Sequence, residues 1–114
     1  MDNYRIDSHK LMFHPQRVAS WLQGDMIYPI NVEISISGAC NHRCVFCSAD
    51  YMGYEPVLLS KEIVHRCFSE MQAKGLKSVL FAGTGEPLVN KDAAEIINDT
   101  KRLGIDTALS TNGV

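Results

Sequence analysis

Strand-like segments that alternate with helix-like ones set the strongest limit on what this chain can fold into. NVEISIS (31–37) is rich in β-branched residues and alternates, with Val32, Ile34 and Ile36 on one side. SVLFAG (78–83) is a continuous apolar run stopped by glycine, the pattern of a strand covered on both faces. IDTALS (105–110) reads as a third strand, closed by the turn-like Thr111-Asn112-Gly113. Between them, residues 60–75 open on Ser60 as a helix N-cap and stop at Gly75, with Ile63, Val64, Cys67, Phe68 and Met71 in one apolar stripe. Residues 91–104 repeat the pattern, with Ala93, Ile96, Ile97, Thr100 and Leu103 on one side and Gly104 as the stop. Such alternation requires right-handed β-α-β crossovers and a parallel sheet, an α/β fold. The third strand would leave an apolar edge without a neighbour, so the sheet is expected to be unfinished within these residues.

Ahead of the first strand, residues 1–14 show no period and read as an arm. PQRVASWLQG (15–24) predicts a short helix with Pro15 at its first position, Val18, Trp21 and Leu22 on one face, and Trp21 as its packing anchor. The expected division is an N-terminal arm and helix over 1–30 and a core over 31–114. At 46% apolar and 21% charged residues the chain has the composition of a domain with a core, and no repeat or linker interrupts it. A net charge of −2 with scattered Lys and Arg provides no cationic surface, so a nucleic-acid partner is not indicated. No stretch approaches the roughly 18–20 apolar residues of a membrane span, and the N-terminus lacks an apolar export core. A cytoplasmic location is expected.

Chemistry in parallel sheets gathers at the C-terminal strand ends, and the segment after the first strand, from Gly38 to about Leu59, is far longer than an ordinary connection. It holds three of the four cysteines, Cys40, Cys44 and Cys47, spaced C-x3-C-x2-C. Thiolates select zinc, copper(I) or the iron of iron-sulfur clusters. Structural zinc wants four protein ligands, and ferredoxin loops supply a fourth cysteine from a Cys-Pro. Cys67 is followed by Phe68 and lies on a helix stripe, so it reads as a core side chain and a poor ligand. Three thiolates on a cubane leave one iron open to a substrate. The alternatives are a zinc site completed by His42 or a remote residue, and thiol-disulfide exchange, which leaves Cys40 over. After the second strand comes GTGEP (83–87). A dinucleotide fingerprint would need glycine where Leu88 stands, and a P-loop would need Gly-Lys-Ser/Thr; a plain turn remains.

Together these residues resemble the radical S-adenosylmethionine (radical SAM) enzymes. The likeness rests on Cys40, Cys44, Phe46 and Cys47 after a first strand, on GTGEP after a second, and on Thr111-Asn112-Gly113 after a third. It runs from about Asn31 to Val114. The resemblance implies a partial TIM-like barrel of parallel β/α units, of which this chain supplies the first three strands, the rest coming from further residues or another chain. It implies that Cys40, Cys44 and Cys47 hold a 4Fe-4S cluster whose remaining iron is chelated by S-adenosylmethionine. Phe46 would pack near the adenine, and Thr84, Gly85 and Glu86 would line the methionine end, with Thr111 as a further contact. Thr84 departs from the glycine most often found there, although Gly83 precedes it.

The activity implied is reductive cleavage of S-adenosylmethionine to a 5'-deoxyadenosyl radical, on a peptide or small-molecule substrate, with a low-potential donor such as flavodoxin or ferredoxin. The alternative is a non-catalytic zinc- or cluster-binding module, or a barrel half that needs a partner chain. Around the cysteines, Arg43 is either a solvated residue or a counter-charge to the cluster, and Tyr51 and Tyr54 either shield the loop or pack under it. Asn112 either contacts ligand or forms the turn. His9, His14 and His65 have no partner pattern.

Overall fold

The computed structural model of the protein describes residues 10–53 and 55–114; the arm up to residue 9, including His9, and Tyr54 lie outside the described residues. In chain order the elements are α1 (Pro15–Leu22), β1 (Asn31–Ile34), α2 (Ser48–Tyr51), α3 (Lys61–Ala73), β2 (Ser78–Phe81), α4 (Ala93–Arg102) and β3 (Asp106–Leu109), with 3-10 turns at Lys10–Phe13 and Pro87–Val89. The strands form one parallel sheet in the order β1-β2-β3. The α/β class and the parallel arrangement read from the alternation are therefore correct.

Each strand stops short of the apolar run that predicted it. After Ile34 the chain leaves the sheet, and Ser37 pairs antiparallel with Leu58 instead. After Phe81 and Ala82, Gly83 takes a φ of 116°, which turns the backbone away. The register places Val32, Val79 and Thr107 side by side, then Ile34, Phe81 and Leu109, all on one face. Val79 and Phe81 on that face form a continuous core with Val64 and Phe68 of α3 and Ala93 and Ile96 of α4. The rings of Phe68 and Phe81 meet edge to face, centroids 6.2 Å apart. Burying one such ring contributes about 1.5–3 kcal/mol.

The opposite face carries Glu33, Leu80 and Ala108 in register. Leu80 is only half-buried, so β2 is covered on one face and not on both, as its apolar run predicted. Both helices lie against the same side, which leaves the other open among the described residues.

Local signals account for the helices. The Ser60 hydroxyl accepts the Ile63 N–H at the start of α3, and Gly75 and Gly104 stop α3 and α4 with positive φ. The predicted stripe holds for Val64 and Phe68, while Ile63 is exposed and Cys67 half-buried. Helix α1 forms where expected but buries nothing, and Trp21 is 63% exposed. Trp21 is thus not the anchor; Arg17 is. Its guanidinium donates to the carbonyl of Tyr28 and, at 2.9 Å, to that of Lys74 at the C-terminus of α3. A lysine or arginine at a helix end satisfies carbonyls that have no partner inside the helix. No helix among the described residues is long and apolar enough to cross a membrane.

Candidate active site

The loops that leave the C-terminal ends of β1, β2 and β3 meet, and main-chain contacts join them. The long cysteine loop is closed at its base: Gly38 N–H donates to Val57 O at 2.7 Å and Leu59 N–H to Ile36 O at 3.1 Å. Against that base lies the GTGEP turn. A Cβ on Gly85 would stand 2.3 Å from Ser37 O and 2.4 Å from Ala39 O, so only glycine allows the two backbones to approach this closely. Glu86 N–H then donates to Ala39 O at 2.9 Å, one residue before Cys40.

Glu86 is 4% exposed, and its carboxylate ties the second loop to the third. Oε1 accepts the Leu88 N–H at 3.0 Å and the Thr111 hydroxyl at 2.7 Å; Oε2 accepts the Asn112 N–H at 2.8 Å. Burial, the largest single influence on this group, opposes its ionisation. The donors from Asn112, Leu88 and Thr111, with the nearby His42, outweigh burial and hold its pKa below the ordinary value. From the third loop, Asn112 Nδ2 also donates to Asn41 Oδ1 at 2.9 Å, directly after Cys40. Thr111 and Asn112 therefore both shape the turn and reach other loops.

All four cysteines are free; Cys40 and Cys47 are half-buried and Cys44 is exposed. Cys40 Sγ accepts the His42 N–H at 3.4 Å, and Cys47 N–H donates to Cys44 O at 2.9 Å. Cys47 is also the N-cap of α2, a one-turn helix within the loop that no sequence period announced. Among the described residues no three His, Cys, Asp or Glu side chains converge on the position of one metal ion. Three soft thiolates on one loop, with Cys67 away on α3, are a donor set that fits a cubane, where each thiolate ligates a different iron.

Phe46 is 88% exposed, Thr84 is exposed, and Gly85 is half-buried. Tyr51 is 92% exposed, so it does not pack under the loop. A residue with no sequence signal completes the arrangement. Asn90, 3% exposed, donates through Nδ2 to the carbonyls of Ile36 and Leu59, each at 2.9 Å, and so holds both ends of the cysteine loop.

A parallel β/α sheet with a three-thiol loop at its C-terminal edge, in backbone contact with a glycine-bearing turn, defines a class of cofactor-binding domain. The family model described as the radical SAM superfamily matches residues 34–114, and the chain belongs to that superfamily, whose enzymes use a 4Fe-4S cluster and S-adenosylmethionine. Among curated proteins it is similar to the GTP 3',8-cyclase of Marinobacter nauticus, 34% identical over 85 residues, which cover 72% of this chain and 26% of the relative. It is likewise similar to the probable GTP 3',8-cyclase of Saccharolobus solfataricus, 34% identical over 73% of this chain and 27% of the relative. The chain spans about a quarter of the length of these relatives. Its fold is shared with Streptococcus suis SuiB bound to S-adenosylmethionine, with a TM-score of 0.71 and 23% identity over 98% of this chain and 27% of that one. BtrN in complex with AdoMet and 2-DOIA gives a TM-score of 0.59 and 20% identity over 78% of this chain and 37% of that one.

Proposed function

We propose that this chain is the cluster- and S-adenosylmethionine-binding portion of a radical SAM enzyme, corresponding to a core over residues 31–114. Cys40, Cys44 and Cys47 are its three thiolate ligands. When bound, the cluster and S-adenosylmethionine supply radical chemistry by one-electron cleavage of the sulfonium S–C5' bond. The chain's own residues bind and orient. Thr84 and Gly85 present main-chain groups at the methionine end, and Glu86 keeps free acceptor capacity on Oε2 for an ammonium, since one donor occupies that oxygen and two occupy Oε1. Thr111 acts by holding Glu86. Phe46 offers a flat apolar face to the adenine.

The observation that carries this reading is the backbone contact at Gly85, which sets the GTGEP turn beside the residue preceding Cys40. The curated relatives are named for GTP, so a purine nucleotide is the first small molecule to test as substrate, with peptides as the second class. Free thiols and a strongly reducing cluster suit the cytoplasm, with a flavodoxin or ferredoxin as electron donor.

The test is anaerobic reconstitution of the purified chain with iron and sulfide, then reduction with dithionite in the presence of S-adenosylmethionine. About four irons per chain and release of 5'-deoxyadenosine are expected, both lost in Cys44→Ala. Bound zinc, with no uptake of iron and sulfide, would instead establish a non-catalytic metal module.

A further inference from the structure

Arg43 stands between Cys40 and Cys44, and its side chain reaches both flanks of the cysteine loop. Nη1 donates to the carbonyls of Cys40 at 3.2 Å and His42 at 3.0 Å. Nε lies 3.1 Å from Oδ1 of Asp50, on α2 beyond Cys47. One side chain thus spans the segment that carries all three thiols. A cleft of about 140 Å³ opens at this crossing, lined by Ala39, Cys40, Arg43, Asp50, Gly53 and Pro56. The side chains of Arg43 and Asp50 are 65% and 39% exposed, so as an ion pair they add little to stability. The arrangement matters for what it holds. A planar guanidinium donates in several fixed directions at once, which an ammonium cannot reproduce.

Resting on the cluster reading above, we propose that Arg43, braced by Asp50, is a positioning residue for the Cys40–Cys47 loop. It fixes a positive charge beside the cluster and makes the cluster easier to reduce. Three thiolates leave a cubane with net negative charge, and an added electron increases it. A cation held nearby therefore favours the reduced state, and local charge is one of the means by which proteins set cluster potentials.

The test uses the full chain and its variants Arg43→Gln, Arg43→Lys and Asp50→Asn, each reconstituted anaerobically. Iron and sulfide per chain are measured, and the midpoint potential is read from a redox titration followed by electron paramagnetic resonance at low ionic strength. In R43Q the ratio of reduced to oxidised cluster at a fixed potential should fall by about three- to tenfold, a tenfold change being ~59 mV for one electron. D50N removes a negative charge while Arg43 keeps its bonds to the Cys40 and His42 carbonyls, so it should move the potential the opposite way. R43K should keep a near wild-type potential while loading less iron. A purely structural brace would shift R43Q and D50N together or leave the potential of the loaded fraction unchanged, and either result overturns the proposal. So does an R43K potential displaced as far as that of R43Q. A wild-type chain that takes up no iron and sulfide overturns the cluster reading itself, and the proposal with it.

Discussion

At Gly85 the limit on side-chain size comes from two carbonyl oxygens, Ser37 O and Ala39 O, which belong to the backbone and cannot rotate aside. Gly85→Ala must separate the GTGEP turn from the cysteine loop. It is expected to destabilise the protein by about 1–3 kcal/mol in urea unfolding and to abolish 5'-deoxyadenosine release. Glu86 poses a different problem, because a buried carboxylate is stable only while its donors remain. Its folded pKa lies below the ordinary 4.5. The stability it adds is therefore fully present above the unfolded value and is lost as pH falls through the folded one. Glu86→Gln should lower stability at neutral pH by about 1–3 kcal/mol, since its amide turns donors toward donors, and should flatten the acid dependence of unfolding. Wild-type acid sensitivity in the glutamine variant would contradict this. The sequence made Gly85, Glu86 and Thr111 candidates through GTGEP and the turn after the third strand. It gave no sign that Thr111 and Asn112 would be Glu86's partners, because that depends on β2 and β3 lying side by side.

Among the elements, the cysteine loop departs furthest from its expected form. Its length marks it only as a long connection, and it has a paired base and a helical turn after Cys47. Asn90 holds that base by two hydrogen bonds from one amide, while its Oδ1 accepts the Asp92 N–H at 3.0 Å ahead of α4. Asn90→Ala should cost about 1–3 kcal/mol by removing both bonds, which leaves the half-buried Leu59 carbonyl without its donor while Ile36 O keeps only the Leu59 N–H. Hydrogen exchange should quicken at the Gly38 and Leu59 amides well before it does in α3. Asn90→Asp should fail to rescue, because a carboxylate would face two carbonyls. If exchange at those amides were unchanged in Asn90→Ala, the residue would not be the loop's anchor. Nothing in the stretch Val89-Asn90-Lys91 marks it, since an asparagine before a helix is equally at home as a solvated turn residue.

For the whole molecule, the helices cover one face of the sheet, and the three thiols lie on a loop tied at its base, to the GTGEP turn through Ala39, to the third loop through Asn41, and along Arg43. A cluster that binds the folded chain links those thiols to one another, and its binding energy adds to folding. The reconstituted protein should melt at a higher temperature than the cluster-free form, and Cys44→Ala should remove the difference. By itself the sequence determined the strands, the two long helices, their parallel arrangement and the candidate ligands, because periodicity, caps and cysteine spacing act over a few residues of chain. Only the tertiary structure decided that β2 is covered on one side among the described residues, that Trp21 is left largely exposed while Arg17 docks α1, and that Glu86, Asn90 and Arg43 each join separate segments. Those outcomes depend on which distant backbone groups are brought within hydrogen-bonding distance, and that is set by the register of the packed sheet.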